Sequence, residues 1–129
     1  MTARHILAAL GLAAAAAAAP AQAPRIPALA AIESGEWQLK ESGGPAHPLC
    51  LASPEALIQM QHHDQNCTHT VVAQDSRSVT FRYTCPGAGY GRTTITVETG
   101  RLFKLETQGI AGGAPFDLSY EARRIGNCG

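Results

Sequence analysis

The chain has 129 residues, with 10 Lys and Arg against 10 Asp and Glu, and 45% of it is hydrophobic. That length suits one domain and is short for two. The even charge balance offers no broad basic field, so nucleic acid and an anionic membrane surface are poor candidates for a partner.

Met1 to His5 carries a basic residue, and an apolar run follows from Ile6 to Ala19 and ends at Pro20. This is the layout of a secretory signal peptide. The run is shorter than the roughly 20 residues that span a bilayer comfortably, and no basic stop-transfer cluster follows it. Of two small-x-small sites, Ala19-Pro20-Ala21 before Gln22 fits better than Ala21-Gln22-Ala23 before Pro24, because proline just after a scissile bond is disfavoured. The expected organisation is a signal peptide over 1–21, a mobile Ala/Pro-rich leader over 22–34 and a single β domain over 35–129. The compartment is the periplasm or the medium, with no membrane insertion after cleavage.

Cys50, Cys67, Cys85 and Cys128 all fall in the exported part. An even number in a small exported domain reads as two disulfides. No C-x-x-C occurs, so a metal or redox site is not expected.

Glu36-Trp37-Gln38-Leu39-Lys40-Glu41 alternates, which puts Trp37 and Leu39 on one face of a strand. Ser42-Gly43-Gly44-Pro45 ends it. Ser53-Pro54-Glu55 has the cap, the proline and the acid that open a helix, expected to run about eight residues with Leu57, Ile58 and Met60 on its apolar side. From His69 the period becomes two. Val79, Phe81, Tyr83 and Cys85 point one way, and a three-residue loop centred on Ser76 sets Val71 opposite Phe81, Ala73 opposite Val79 and Cys67 opposite Cys85. That register predicts the disulfide Cys67–Cys85 and leaves Cys50–Cys128.

Downstream, Thr93, Ile95 and Val97 face inward, and a loop centred on Gly100 aligns Val97 with Phe103 and Ile95 with Leu105. Gly112-Gly113 makes a tight turn with both residues at positive φ. It pairs Thr107 with Leu118, Leu105 with Tyr120 and Phe103 with Ala122. The fold class is therefore mostly β: an antiparallel up-and-down sheet, or a small barrel, of about six strands with one short helix and two disulfides.

Phase also puts Arg124 on the inward face of the last strand, where a guanidinium needs a counter-charge or an aromatic surface. If the first and last strands are neighbours, Arg124 lies across the indole of Trp37 and helps to close the fold.

Gly35-x-Trp37, Cys50-Leu51-x-x-Pro54-Glu55, Thr84-Cys85-Pro86-Gly87 and Ala122-Arg123-Arg124-Ile125-Gly126-x-Cys128 occur in an order that resembles domain-of-unknown-function family 3617. The likeness runs from Gly35 to the C-terminus and implies a small exported bacterial protein without an assigned activity.

No catalytic constellation stands out. Ser53, Ser76, Ser78 and Ser119 lie at a cap, at turns and on a strand exterior without an elbow motif, and Asp75 and Asp117 form no acid/base pair. His62-His63-Asp64, with His47 and His69 in reach, is the one cluster of metal-ligand types, and it reads as a solvated helix exit because its spacing matches no fixed ligand pattern. Cys85 to Gly91 lacks the Lys and the helix of a phosphate loop and reads as a hairpin connection. Six strands are too few to enclose a ligand, so any ligand sits on an open face or at a mouth.

The expectation is a non-enzymatic binding or interaction module of the cell envelope, without cofactor or metal, whose partner is an envelope protein or a small apolar ligand. An inhibitor of a secreted hydrolase is the alternative, offering its tail from Ala23 to Ala31 or its Gly-rich loop.

Overall fold

The structure, a computed structural model, describes residues 11–19 and 25–129. The expected signal-peptide cut after Ala21 lies outside the described residues. Seven strands form one antiparallel sheet: β1 (Gly35–Glu41), β2 (Ala46–Leu51), β3 (Thr68–Gln74), β4 (Ser78–Cys85), β5 (Gly89–Thr99), β6 (Leu102–Ala111) and β7 (Ala114–Gly126). Their order is β2-β1-β7-β6-β5-β4-β3, so β1 and β7 are neighbours while β2 and β3 are free edges, and the sheet is open.

The alternation read from the sequence sets the register. Val97 pairs with Phe103, Ile95 with Leu105, Leu105 with Tyr120, Phe103 with Ala122 and Thr107 with Leu118. Gly112 and Gly113 make the last turn at φ 58° and 79°, which residues with a Cβ adopt only at a cost. The inward row buries Trp37, Leu39, Phe81, Ile95, Phe103 and Leu105. Each fully buried side chain of this kind contributes roughly 1.5–3 kcal/mol relative to exposure.

The β3–β4 hairpin differs from expectation at its turn end. Val71 does face Phe81, but Ala73 pairs with Thr80 and Gln74 with Val79, because Val72 bulges out of the ladder. One extra residue on β3 shifts the turn. Asp75 holds it by accepting from the amides of Arg77 and Ser78, each at 2.8 Å.

The seventh strand is β2, which sequence pattern hides. Pro48 interrupts its alternation, and a proline is tolerated here because β2 is an edge strand, with Pro48 opposite Gln38. Both disulfides join as expected, Cys67–Cys85 and Cys50–Cys128. The second ties β2 to the C-terminus.

Two local expectations are corrected. The helix expected from Ser53 is replaced by two 3-10 turns, Pro54–Leu57 and Met60–His62. The Ser53 hydroxyl bonds to the Glu55 carboxylate and not to a backbone amide, and Gln59 at φ −127°, ψ 46° leaves the helical path between the turns. Leu57 and Ile58 are nevertheless buried. The leader, expected to be mobile over 22–34, is packed in its described part. Pro27–Ala30 forms a single helical turn, α1, and Ala28, Leu29 and Ile32 join the core. Spacing at 28, 29 and 32 gives one apolar side, which the Ala/Pro composition masks.

Candidate functional site

One end of the inner face is built around missing side chains. Tyr83, Gly91, Gly109 and Phe116 follow one another across β4, β5, β6 and β7 as direct partners. A Cβ at Gly91 would fall into the Tyr83 ring, and one at Gly109 would meet the backbone of Tyr90 and Gly91. Glycine at these two places therefore lets Tyr83 lie against β5 and lets β5 and β6 approach closely.

His62 caps the gap. Only 4% exposed, it places Nδ1 3.0 Å from the Tyr83 hydroxyl and Nε2 at 3.1 and 3.0 Å from the carbonyls of Ala88 and Ile110. Carbonyls only accept, so Nε2 carries the proton, and Nδ1 accepts from Tyr83. Burial raises the Tyr83 pKa, with Thr107 acting the other way. Next to this pair, Thr93 donates to the Ile58 carbonyl at 2.7 Å and shares a 2.9 Å bond with Thr107. Among the described residues no buried side-chain nitrogen or oxygen lacks a partner. The inner network thus has its polar capacity spent on holding the 3-10 segment, the β4–β5 turn and β6 together.

Unspent capacity lies on the outer face of the same strands. Arg82 and Arg92 are direct cross-strand partners. Like charges placed so are destabilising, by an amount comparable to the roughly 0.2–1 kcal/mol of a good pair. Neither enters any of the four ion pairs of the described residues, which are His63–Asp64, Arg101–Glu33, Lys104–Glu98 and Arg123–Glu121. Gln108 is the next partner of Arg92, and Asp117 follows Gln108 in the row. Tyr90, 56% exposed, stands in the adjoining row. Together Arg82, Tyr90, Arg92, Gln108 and Asp117 line a shallow open depression of about 540 Å3, floored by the bare backbone of Gly91 and Gly109.

The residues singled out by sequence are dispersed. His62 is buried where a solvated helix exit was expected, and only its neighbours follow that reading: His63 pairs with Asp64 at 3.1 Å, with side chains 74% and 80% exposed. His69 bonds Gln59, and His47, on the opposite edge strand β2, packs edge-on to Tyr120 at 6.3 Å. Trp37 faces Arg124 directly, with its ring centroid 4.8 Å from that of Phe103. The Arg124 guanidinium donates to the Ser34 carbonyl at 2.8 Å and to Asn127 Oδ1 at 2.7 Å. Neutral oxygens thus receive the guanidinium that was expected to lie across the Trp37 indole.

Sequence reading missed the His62–Tyr83 pair and the two arginines. The available signal was Gly91, in phase with inward Thr93, Ile95 and Val97, since a glycine among core positions needs a neighbour to fill its space.

The family model described as Protein of unknown function (DUF3617) matches residues 32–128. The chain belongs to this family. No match was found among curated proteins or among solved structures. The matched span takes in all seven strands and both disulfides of this DUF3617 domain.

Proposed function

We propose that this DUF3617 chain is a non-enzymatic binding module of an oxidising, extracytoplasmic compartment, and that it takes an anionic group in the outer-face depression. Two disulfides support the compartment, since such bonds persist where thiols are not kept reduced. The observation that carries the binding reading is Arg82 facing Arg92 with, among the described residues, no carboxylate in ion-pair range of either. An anion such as a carboxylate or phosphate placed between two guanidiniums relieves their repulsion and accepts charge-assisted hydrogen bonds. The exposed ring of Tyr90 offers a flat surface to whatever body carries that anion. Asp117 at the end of the row disfavours a second negative charge there.

The inhibitor alternative has less support. Ala28 and Leu29 of the tail are buried, and the Ala88 carbonyl of the Gly-rich loop accepts from His62, so neither is a free element to insert elsewhere.

The test is titration of the oxidised, isotopically labelled chain with inorganic phosphate and with glucuronate at constant ionic strength. Saturable shifts at Arg82, Tyr90, Arg92 and Gln108 are expected, lost in Arg82→Gln/Arg92→Gln. Shifts spread over all surface arginines, or unchanged in the double variant, refute the site.

A further inference from the structure

The two edges of the sheet are unlike each other. β2 has Pro48 in mid-strand and is stapled by Cys50–Cys128 to the chain end, both of which blunt an edge. β3 has neither. Every residue from Thr68 to Gln74 is exposed, the stretch holds no Lys, Arg, Asp, Glu or Pro, and Val71 and Val72 are 37% and 41% exposed. A β-branched edge strand without charge or proline is a template for another strand.

We propose that β3 is a self-pairing surface, and that two copies of this chain join antiparallel through it about a two-fold axis at Thr70. Faces decide the register. Thr68 and Thr70 share the outer face with Thr84 and Arg82, whereas His69 and Val71 share the inner face with Tyr83 and Phe81. Opposed residues point to the same side of a sheet, so the axis falls on a residue and not between two. An axis at Thr70 sets Thr70 against Thr70, a favourable cross-strand pair, and His69 against Val71 twice. An axis at His69 would set two imidazoles together. The bulge at Val72 ends the regular ladder, so the seam spans Thr68 to Val72 on each copy.

A second copy is favoured over a foreign strand by what remains afterwards. Pairing consumes both β3 edges at once and leaves two β2 edges, each guarded by its proline and disulfide, so the assembly stops at two. The seam is short and predicts a weak dimer. It also has a consequence on the outer face. Thr70 partners Arg82, and Arg82 partners Arg92, so the dimer carries four arginines in one row across the seam. The two Arg82 positions are three strand spacings apart, roughly 14 Å, beyond the Debye length at physiological salt.

Sedimentation equilibrium of the oxidised chain at concentrations up to about 1 mM tests the pairing, 1 mM being the weak end of specific association. A monomer–dimer equilibrium is expected, and Val71→Lys/Val72→Lys, at already exposed positions, should weaken it at least tenfold with the unfolding midpoint nearly unchanged. Thr70→Cys adds a direct readout. Opposed Cα atoms in such a pair lie about 4.5–5.5 Å apart, within disulfide range, so mild oxidation should link position 70 to position 70. Thr96→Cys, on the outer face away from the edge, is the control. A monomer at every concentration overturns the proposal, as does a dimer indifferent to the lysines, or cross-linking at position 70 no greater than at 96. A monomer that retains a foreign extended peptide on β3 overturns it too and assigns the edge to a partner. None of these readouts depends on anion binding.

Discussion

Trp37 on β1 and Arg124 on β7 face each other across the pair that sets the first strand of the chain beside the last. The guanidinium reaches over Gly35, where a Cβ would lie 2.6 Å from Nε, and bonds the Ser34 carbonyl and Asn127. The indole Nε1 donates to the Glu33 carbonyl at 3.0 Å. Both residues therefore fasten the segment that leads into β1.

Arg124→Ala removes two charge-assisted hydrogen bonds and should destabilise by about 1–2 kcal/mol, after allowing for their partial exposure. Arg123→Ala loses only an exposed ion pair with Glu121 at 3.3 Å and should cost less than about 0.5 kcal/mol. Urea unfolding followed by Trp37 fluorescence measures both. Equal effects would remove Arg124 from its role in fastening the segment that leads into β1.

Gly91→Ala places a methyl in the Tyr83 ring. Overpacking of this kind costs about 1–3 kcal/mol. His62→Ala instead strips three partners from buried groups, the Tyr83 hydroxyl and two carbonyls, and should cost about 2–4 kcal/mol. Hydrogen exchange should show protection lost at the β4–β5 turn and retained in β1 and β7. Global loss in His62→Ala, with β1 and β7 falling alike, would contradict a local role.

How legible this was in the sequence depended on the period of each segment. From Val79 onward the inward positions recur in phase, so the pairing of β4 to β7 and the Cys67–Cys85 disulfide could be read residue by residue. The turn expected to centre on Gly100 instead carries a bulge between Val97 and Thr99 that sets Thr99 opposite Leu102. The misreadings occur where a local preference was outbid by packing. Ser53-Pro54-Glu55 has helix-opening chemistry, yet burying both Leu57 and His62 against a curved sheet needs the tighter, broken path through Gln59. Pro48 argued against a strand that only its edge position allows. The candidate site was hidden for another reason: Arg82 and Arg92 occupy ordinary outward positions, and their opposition appears only once β4 and β5 are paired.

Stability should fall in alkali. Burial raises the pKa of Tyr83, and burial together with the nearby Glu41 carboxylate raises that of Tyr120. A phenol whose folded pKa lies above its unfolded value contributes stability that is complete below the unfolded pKa of about 10 and is lost as pH rises through the folded one. The unfolded chain sheds its protons first, so the slope above pH 10 is negative. Denaturant midpoints in the oxidised chain should hold between pH 8 and about 9.5 and then drop. The drop should be smaller in Tyr83→Phe and in Tyr120→Phe. A slope unchanged in both variants would assign the alkaline loss to other groups.

The two disulfides should differ in weight. Cys67–Cys85 closes 18 residues of sequence separation and Cys50–Cys128 closes 78. Chain-entropy arithmetic gives roughly 3 kcal/mol for the first and roughly 4.5 kcal/mol for the second. Position adds to the difference. Cys67–Cys85 joins residues at the end of β3 already brought together by a hairpin whose turn is fixed at Asp75. Cys50–Cys128 instead holds the proline-interrupted β2 to a C-terminal end that follows β7 without further strand pairing. Cys50→Ala/Cys128→Ala should therefore lower the unfolding midpoint more than Cys67→Ala/Cys85→Ala, and exchange protection should vanish first along β2. A larger loss from the 67/85 pair would mean that the β3–β4 hairpin does not form without its staple. In that case the edge strand, and not the strand pair at β1 and β2, would be the weakest part of the sheet.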